Sequence, residues 1–478
     1  MLWTIFAMLV ILWLLGIVMR RHHWAMFRTW ALIINLAVLI TSLGGCGGGS
    51  DSTPTGPPPP PPPPPPPSSQ TIQHVVVIFQ ENRTPDNLFH GLPGADIADS
   101  GVNSAGETVP LTPIALANDY DPNHGHANFV AMYDGGKMDG ADKMPVACGK
   151  NAHDCPGPNL QFKYVNPSDV APYFQLAEEY TFADRMFQTN QGPSFPAHQF
   201  IIAGTSAPTA TSNLFAAGNP VLPGMASLTV VGCTAPADEI VALIDPAGDE
   251  SATQYPCFEH PVLSDLLDAK GISWRYYTPS PGSIWTGPNA IQHLRMGPAW
   301  ANNVITNGKQ VLLDIAAGQL PQVSWVIPTG QASDHPNGNE GSGPSWVASI
   351  VNAIGRSPYW SKTAIFITWD DWGGWYDHVA PSIYNSYEYG FRVPLIVVSP
   401  YAKQGYVSHV THDFGSILKF IEEDFDLPSL GYADARADDL SDCFDFSQTP
   451  LSFQTIAAEY DAKHFLDDER PPEPPDND

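Results

Sequence analysis

From residue 71 onward the chain sets short apolar runs between polar, glycine-rich and proline-rich stretches. His74–Phe79 (HVVVIF), Val323–Ile327, Ala364–Thr368 (AIFIT) and Pro394–Val398 are short, rich in Val and Ile, and apolar without alternation. That pattern predicts parallel strands covered on both faces, because a half-exposed strand would alternate apolar with polar positions. Between these runs, Pro172–Tyr180, Gln310–Ala317, Ser345–Ile354 and Phe414–Asp424 read as helices. Strands alternating with helices predict an α/β sandwich with a mostly parallel central sheet and helices on both faces. Leu92–Asn118, Ala207–Tyr255 and Thr278–Ala301 are rich in Gly, Pro and Asn and read as loops and subdomain insertions. No internal repeat is visible.

The first seventy residues follow another pattern. Residues 1 to 19 are apolar, Arg20-Arg21-His22-His23 follows, and a second apolar run from Trp30 to Leu43 ends in Leu43-Gly44-Gly45-Cys46. A basic stretch, a short apolar stretch and small residues before a cysteine read as a lipoprotein signal. Two membrane anchors with an incidental Cys46 is the alternative, and Met26 is a possible true start. Either way the remainder is expected to be exported to the cell envelope, lipid-anchored or membrane-tethered. Pro57 to Pro67 is unbroken proline, which forms a polyproline II stalk of about 34 Å. The organisation expected is thus a targeting region over 1–46, a tether over 47–70, a catalytic domain over 71–466 and a flexible tail over 467–478.

Charge narrows the partners. The whole chain carries −28, and the stretch before Cys46 holds three arginines and no acid, so its removal leaves −31. Such a surface repels nucleic acid and anionic bilayers, and an anionic substrate needs a locally positive site. Besides Cys46 there are five cysteines. The close pairs Cys148/Cys155 and Cys233/Cys257 suit disulfides in an oxidising compartment and leave Cys443 over.

In open α/β sheets the working residues lie beyond the carboxyl ends of strands. HVVVIFQ runs into Glu81-Asn82-Arg83, and TAIFITW runs into Asp370-Asp371, followed by Trp372-Gly373-Gly374-Trp375-Tyr376-Asp377-His378-Val379. Adjacent carboxylates at a strand end are costly without a cation between them. Glu81, Asn82, Asp370 and Asp371 form an oxygen set suited to a divalent metal, whose identity the sequence leaves open. The alternative is a set of turn acids and helix caps. A third element is Gln191-Gly192-Pro193-Ser194-Phe195-Pro196, where Ser194 precedes a predicted helix. There it is either a plain N-cap or a nucleophile whose alkoxide the helix dipole and a metal would stabilise.

Glu81-Asn82-Arg83-Thr84-Pro85-Asp86, with Phe89-His90-Gly91 and Pro93-Gly94, resembles the E-N-R-S-F-D opening of the bacterial phosphoesterase family. Gly192-Pro193-Ser194-x-Pro196 is similar to that family's nucleophile segment. Thr368-Trp369-Asp370-Asp371-x-Gly373-Gly374-x-x-Asp377-His378-Val379 is similar to its T-x-D-[ED]-x-G-G-x-x-D-H-V signature. Thr84-Pro85 stands where Ser-Phe is usual, and Ala197-His198 where Asn-Arg is common. The resemblance implies an alkaline-phosphatase-like sandwich and a hydrolase of phosphoric esters, with phospholipase C and acid phosphatase as the two known types. It implies Glu81, Asn82, Asp370 and Asp371 as metal ligands, and Ser194 as nucleophile and metal contact through a phosphoserine. His126, His335 and His293 are implied as the histidines that hold phosphoryl oxygens, and His378 as an orienter acting through Asp377.

Phosphate ester or phospholipid is then the expected substrate. A non-catalytic surface-binding lipoprotein on the same fold is the reading from a different class. Trp372, Trp375 and Tyr376 beside the acids, with Trp274, Tyr276, Tyr277 and Trp285 able to reach the same mouth, are either core or a cation–π surface for a quaternary ammonium.

If Cys46 is lipidated, the wild-type chain is expected to enter the detergent phase on partitioning and Cys46→Ala to stay in the aqueous phase. Equal partitioning of the two, with residues 1 to 25 deleted from both, would exclude lipidation there.

Overall fold

Two fully buried, mostly apolar strands sit side by side at the centre of the computed structural model. β1 (His74–Gln80) and a later strand, Thr363–Trp369, are buried at every position. Neither face offers a polar position to water, so each must be covered on both sides. The chain divides into two units, Met1–Pro63 and Pro64–Asp478. The structure describes residues 71–472 without 151, 154 and 225–229, all in the second unit. The expected targeting region and tether lie outside the described residues.

The remaining strands of the main sheet are β2 (Thr181–Ala183), β3 (Trp274–Tyr277), β4 (Val304–Ile305), β5 (Val323–Val326), β6 (Thr363–Trp369), β7 (Leu395–Val398) and β8 (Tyr406–Ser408). They lie in the order β4-β3-β5-β1-β6-β7-β2-β8. β7 pairs antiparallel with both β6 and β2, and every other pairing is parallel. The Pro394–Val398 run was expected to be parallel, and the structure corrects this. A parallel return needs a crossover long enough to carry the chain back, usually a helix. The segment from Asp370 to Pro394 contains no helix, so β7 returns directly alongside β6.

Helices among the described residues include α1 (His126–Tyr133), α2 (Ala171–Glu179), α3 (Ser194–Ala203), α4 (Gln310–Ala316), α5 (Gly343–Gly355) and α6 (Phe414–Asp424). Phe366 and Trp369 of β6 are three residues apart and therefore point to opposite faces of the sheet. Phe366 meets Phe420 of α6 at 5.0 Å between ring centroids, whereas Trp369 meets Tyr173 of α2 at 5.1 Å. Helices thus cover both faces, as expected for the sandwich. All ten residues of α3 are buried, which makes it an internal helix and explains why its sequence lacks a polar stripe.

Cys148–Cys155 and Cys233–Cys257 are disulfide-bonded and Cys443 is a buried free thiol. Among the described residues no helix is long and apolar enough to cross a membrane. The described part of the expected flexible tail is tied down: Arg470 pairs with Glu340 at 2.6 Å, and Gln331 Nε2 donates to the Pro471 carbonyl at 2.9 Å.

Ile367 is fully buried at the centre of β6. Ile367→Ala removes three carbons from a site that can collapse only partly, so unfolding in urea is expected to show a loss of about 2–5 kcal/mol.

Candidate active site

The register of β1 against β6 builds the site. Gln80 stands opposite Trp369, so the next residues of each strand, Glu81-Asn82 and Asp370-Asp371, emerge at the same level on neighbouring strands. Backbone bonds seal the junction: Asp370 N–H donates to the Gln80 carbonyl at 3.0 Å and Arg83 N–H to the Asp371 carbonyl at 3.0 Å. Asn82 turns the chain through a left-handed conformation (φ 63°), which Asn tolerates better than most residues. Gly373 (φ 61°) closes the facing turn, where a Cβ would lie 2.4 Å from the Asn82 carbonyl oxygen. Glycine is required there on both counts.

The third parallel strand, β5, leads into the loop that holds Asp334 and His335. Asp334 fixes this loop to its neighbours. Its carbonyl accepts Arg83 Nε at 2.9 Å, and its carboxylate accepts Tyr173 Oη at 2.9 Å and Trp369 Nε1 at 3.0 Å. Arg83 is therefore committed to the scaffold, with its guanidinium 5.1 Å from the Trp375 ring.

Ser194 opens α3 as its first helical residue, with Pro193 at the N-cap position and no side-chain cap. The plain N-cap reading of Ser194 does not hold. Its hydroxyl donates to Asp371 Oδ2 at 3.1 Å, while the Phe195 N–H at the helix start donates to Asn219 Oδ1 at 2.9 Å. Gln188 sets the distance between the two turns. Its amide nitrogen donates to the Asn190 and Gly192 carbonyls, and its oxygen accepts Trp372 N–H at 2.9 Å. One side chain thus joins the serine turn to the acidic turn.

One helical turn beyond Ser194, His198 lies on the same face of α3. Its Nε2 is 3.5 Å from Glu81 Oε1 and 3.7 Å from Asp370 Oδ2. These three side chains form one buried cluster of possible metal ligands. On the other side, His124 accepts from Asn82 Nδ2 at 3.1 Å and donates from Nδ1 to the Pro122 carbonyl at 3.0 Å. With its nitrogen held in this way, Asn82 Oδ1 is left buried without a hydrogen-bond donor.

The electrostatics are those of a site short of positive charge. Burial first, then Asp370, Asp371 and Asp334, push the Glu81 carboxyl well above the usual range. Burial and Asp370 push Asp371 up to about 8, and burial pushes His198 down to about 4. Both Glu81 oxygens, Asn82 Oδ1 and Asp370 Oδ2 are buried without a hydrogen-bond donor, and His198 Nε2 is buried without a hydrogen-bond partner. Buried oxygens left without donors are costly, and a divalent cation among them would satisfy all of them together. The donor set therefore fits the metal that the sequence implied.

The expected histidines fare differently. His335 is buried, with its ring 6.3 Å from that of His124 and 5.8 Å from that of Trp285, in the wall of the site. His126 begins α1 and pairs with Glu250 at 2.6 Å and Gln191 Oε1 at 3.3 Å. It borders the serine turn, and the neighbouring His124 is the one that touches Asn82. His293 has both ring nitrogens taken up by Glu259 and Asp265, at 2.8 and 3.0 Å. None of its contacts among the described residues reaches Ser194 or the strand-end acids, because it sits on the separate short helix Gln292–Met296 between Glu259 and Asp265. His378 bonds Asp86 and Asp96, and Asp377 is held by Arg392, so this group braces the loop. Trp372, Trp375 and Tyr376 are buried in apolar clusters, and Trp274, Tyr276 and Tyr277 belong to β3. Of the aromatics expected at the mouth, Tyr276 and Trp285 reach the site.

Sequence reasoning missed His124, His198 and Gln188. The NHGH stretch offered two histidines with nothing to separate them. His198 stood out in the sequence only as a replacement for the common Arg, and its four-residue offset from Ser194 is the signal that places it on the serine's face of the helix.

A family model described as the Phosphoesterase family matches residues 72–428. The chain is 25% identical to the non-hemolytic phospholipase C of Pseudomonas aeruginosa, over 79% of this chain and 57% of that protein. It is 28% identical to the non-hemolytic phospholipase C of Burkholderia pseudomallei, over 80% and 60%, and 23% identical to phospholipase C A of Mycobacterium tuberculosis, over 80% and 78%. It therefore spans little more than half the length of the first two. Among solved structures, an alkaline phosphatase superfamily protein of Vibrio parahaemolyticus overlaps 77% of this chain and 72% of its own, at 9% identity and a TM-score of 0.34.

His293 gives a test of electrostatics away from the acids. Asp265 and Glu259 raise its pKa to about 9, so the ion pairs stabilise the fold below pH 6.5 and lose that contribution as pH rises through about 9. His293→Ala is expected to lower Tm at pH 6, and the gap from wild type to close by pH 10. A gap independent of pH would show that packing, not charge, is what His293 supplies.

Proposed function

The chain belongs to the phosphoesterase family, and from that premise we propose that it is a metal-dependent hydrolase of phosphoric esters, phospholipase C-like, with Ser194 as nucleophile. The observation that carries this reading is the Ser194 hydroxyl held on Asp371 Oδ2, with unsatisfied buried oxygens beside it. Glu81, Asn82, Asp370 and Asp371 would hold the cation. When bound, it would supply Lewis-acid stabilisation of the serine oxygen and of charge on the phosphoryl group.

The protein's own residues do the rest. The Ser194 proton passes to Asp371 Oδ2 along the existing hydrogen bond, and Ser194 Oγ attacks phosphorus in line. The leaving oxygen takes a proton from solvent and departs as the alcohol; water then attacks the phosphoserine, giving its proton to solvent, and Asp371 returns the stored proton to Ser194 Oγ. Ser194 at the first position of α3 also sits at the positive end of the helix dipole, which favours the negative oxygen. Gln188 keeps nucleophile and base at one spacing, and buried His335 lines the wall with Trp285. The names of the relatives favour phospholipid as substrate. A soluble phosphomonoester is the second reading, favoured by the burial of Trp372, Trp375 and Tyr376, which are closed to a quaternary ammonium. Export and tethering through Cys46 belong to the same proposal.

Ser194→Ala is expected to lower turnover of an aryl phosphate by at least about 10³-fold with an unchanged melting curve. Asp370→Asn should lose metal and activity together. Near-normal rates in either variant would exclude this mechanism. Phosphatidylcholine and simple monoesters assayed side by side decide the substrate: monoester turnover without diacylglycerol release would remove the phospholipase reading and leave the serine chemistry standing.

A further inference from the structure

His198 is the one nitrogen donor in the buried cluster with Glu81 and Asp370, and its hydrogen-bond partners fix which way its lone pair points. The Tyr276 hydroxyl donates to the Trp285 carbonyl at 2.9 Å, so its hydrogen is spent. Its oxygen can then only accept, and it receives Gly287 N–H at 3.4 Å and faces His198 Nδ1 at 3.5 Å. The His198 hydrogen therefore resides on Nδ1. Nε2 is left with its lone pair facing Glu81 Oε1 at 3.5 Å and Asp370 Oδ2 at 3.7 Å, with no partner of its own. A lone pair aimed at two carboxylate oxygens is repulsive unless a proton or a cation lies among them, and a single cation would meet Nε2 and both oxygens at once. The helix offers no escape, because Gly287 packs against the His198 backbone so closely that a Cβ there would lie 2.5 Å from its carbonyl oxygen.

From this geometry we propose that His198 Nε2 is a direct metal ligand, which makes the centre a mixed nitrogen–oxygen site that prefers divalent transition ions such as Zn²⁺ or Co²⁺ to Ca²⁺ or Mg²⁺. The inference rests on the metal reading given above and adds a ligand and a selectivity to it. Imidazole suits later first-row ions, whereas an all-oxygen set suits Mg²⁺, Ca²⁺ and Mn²⁺. Tyr276 acts as the partner that orients the ring, the usual arrangement for a ligating histidine, which passes its other N–H to a neighbouring acceptor. The serine and the histidine then reach the same ion from successive turns of α3.

The test uses the full chain in detergent, stripped with a chelator and titrated calorimetrically with Co²⁺, Zn²⁺, Mg²⁺ and Ca²⁺. Wild type, His198→Ala, His198→Gln and Asp370→Asn are compared, with melting curves for each. His198→Gln keeps a neutral polar side chain should the alanine variant not fold. Wild type is expected to bind Co²⁺ and Zn²⁺ more tightly than Mg²⁺ or Ca²⁺. Either His198 variant should lose at least about tenfold for the transition ions and leave Ca²⁺ affinity within about twofold. X-ray absorption on the Co²⁺ form should show imidazole scattering in wild type and its loss in the variant. A wild type that binds metal without imidazole scattering, or a His198 variant with unchanged ion preference, overturns this inference alone. A wild type that binds no metal, like Asp370→Asn, overturns the metal reading beneath it as well.

Discussion

Like charges buried side by side are the constraint on which this structure turns. Glu81, Asp370 and Asp371 are wholly buried, and Arg83, the nearest permanent cation on their own segments, is spent on the Asp334 carbonyl. Such an arrangement is unstable in isolation. What holds it is the register of two central strands together with the seals around it: the Asp370–Gln80 and Arg83–Asp371 backbone bonds, the glycine that lets Asn82 approach, and the Gln188 bridge. The scaffold is rigid where it supports unfavourable chemistry, and the unfavourable chemistry is what gives a cation a reason to bind.

The same logic assigns work to residues that touch neither substrate nor ion. Asp334 joins three elements through its carbonyl and carboxylate, so the loop after β5 cannot drift from β1 and β6. Asp86, Asp377, His378 and Arg392 form a compensated cluster further along the acidic turn. There the positive charge comes from Arg392. The contrast between the two acidic groups is instructive: one is neutralised by the protein itself, the other is left open.

Much of this was legible in the sequence where the signal was long. The β1 and β6 runs declared themselves because short apolar stretches rich in Val, Ile and Phe, bounded by polar segments, suit strands covered on both faces, and the acids that follow them are adjacent only if those runs pair. The three-residue strands β2 and β8 were hidden, since so few residues cannot show a period. The direction of β7 was hidden too, because it depends on the lack of a crossover helix and not on the strand's own residues. His198 was invisible for a related reason. It lies in AHQFIIAG, in a helix buried all round, where no polar stripe marks a functional face. Trp372 and Trp375 misled in the opposite sense, as proximity in sequence to the acids left them packed inside apolar clusters.

Helix α3 carries its two polar contributions, Ser194 and His198, on a single rigid rod, with a spacing that helical geometry fixes at about 6 Å along the axis. Inserting or deleting one residue between them would rotate one of the pair by about 100° around the rod, out of the cluster. The length of the segment between them is therefore as constrained as the two residues themselves.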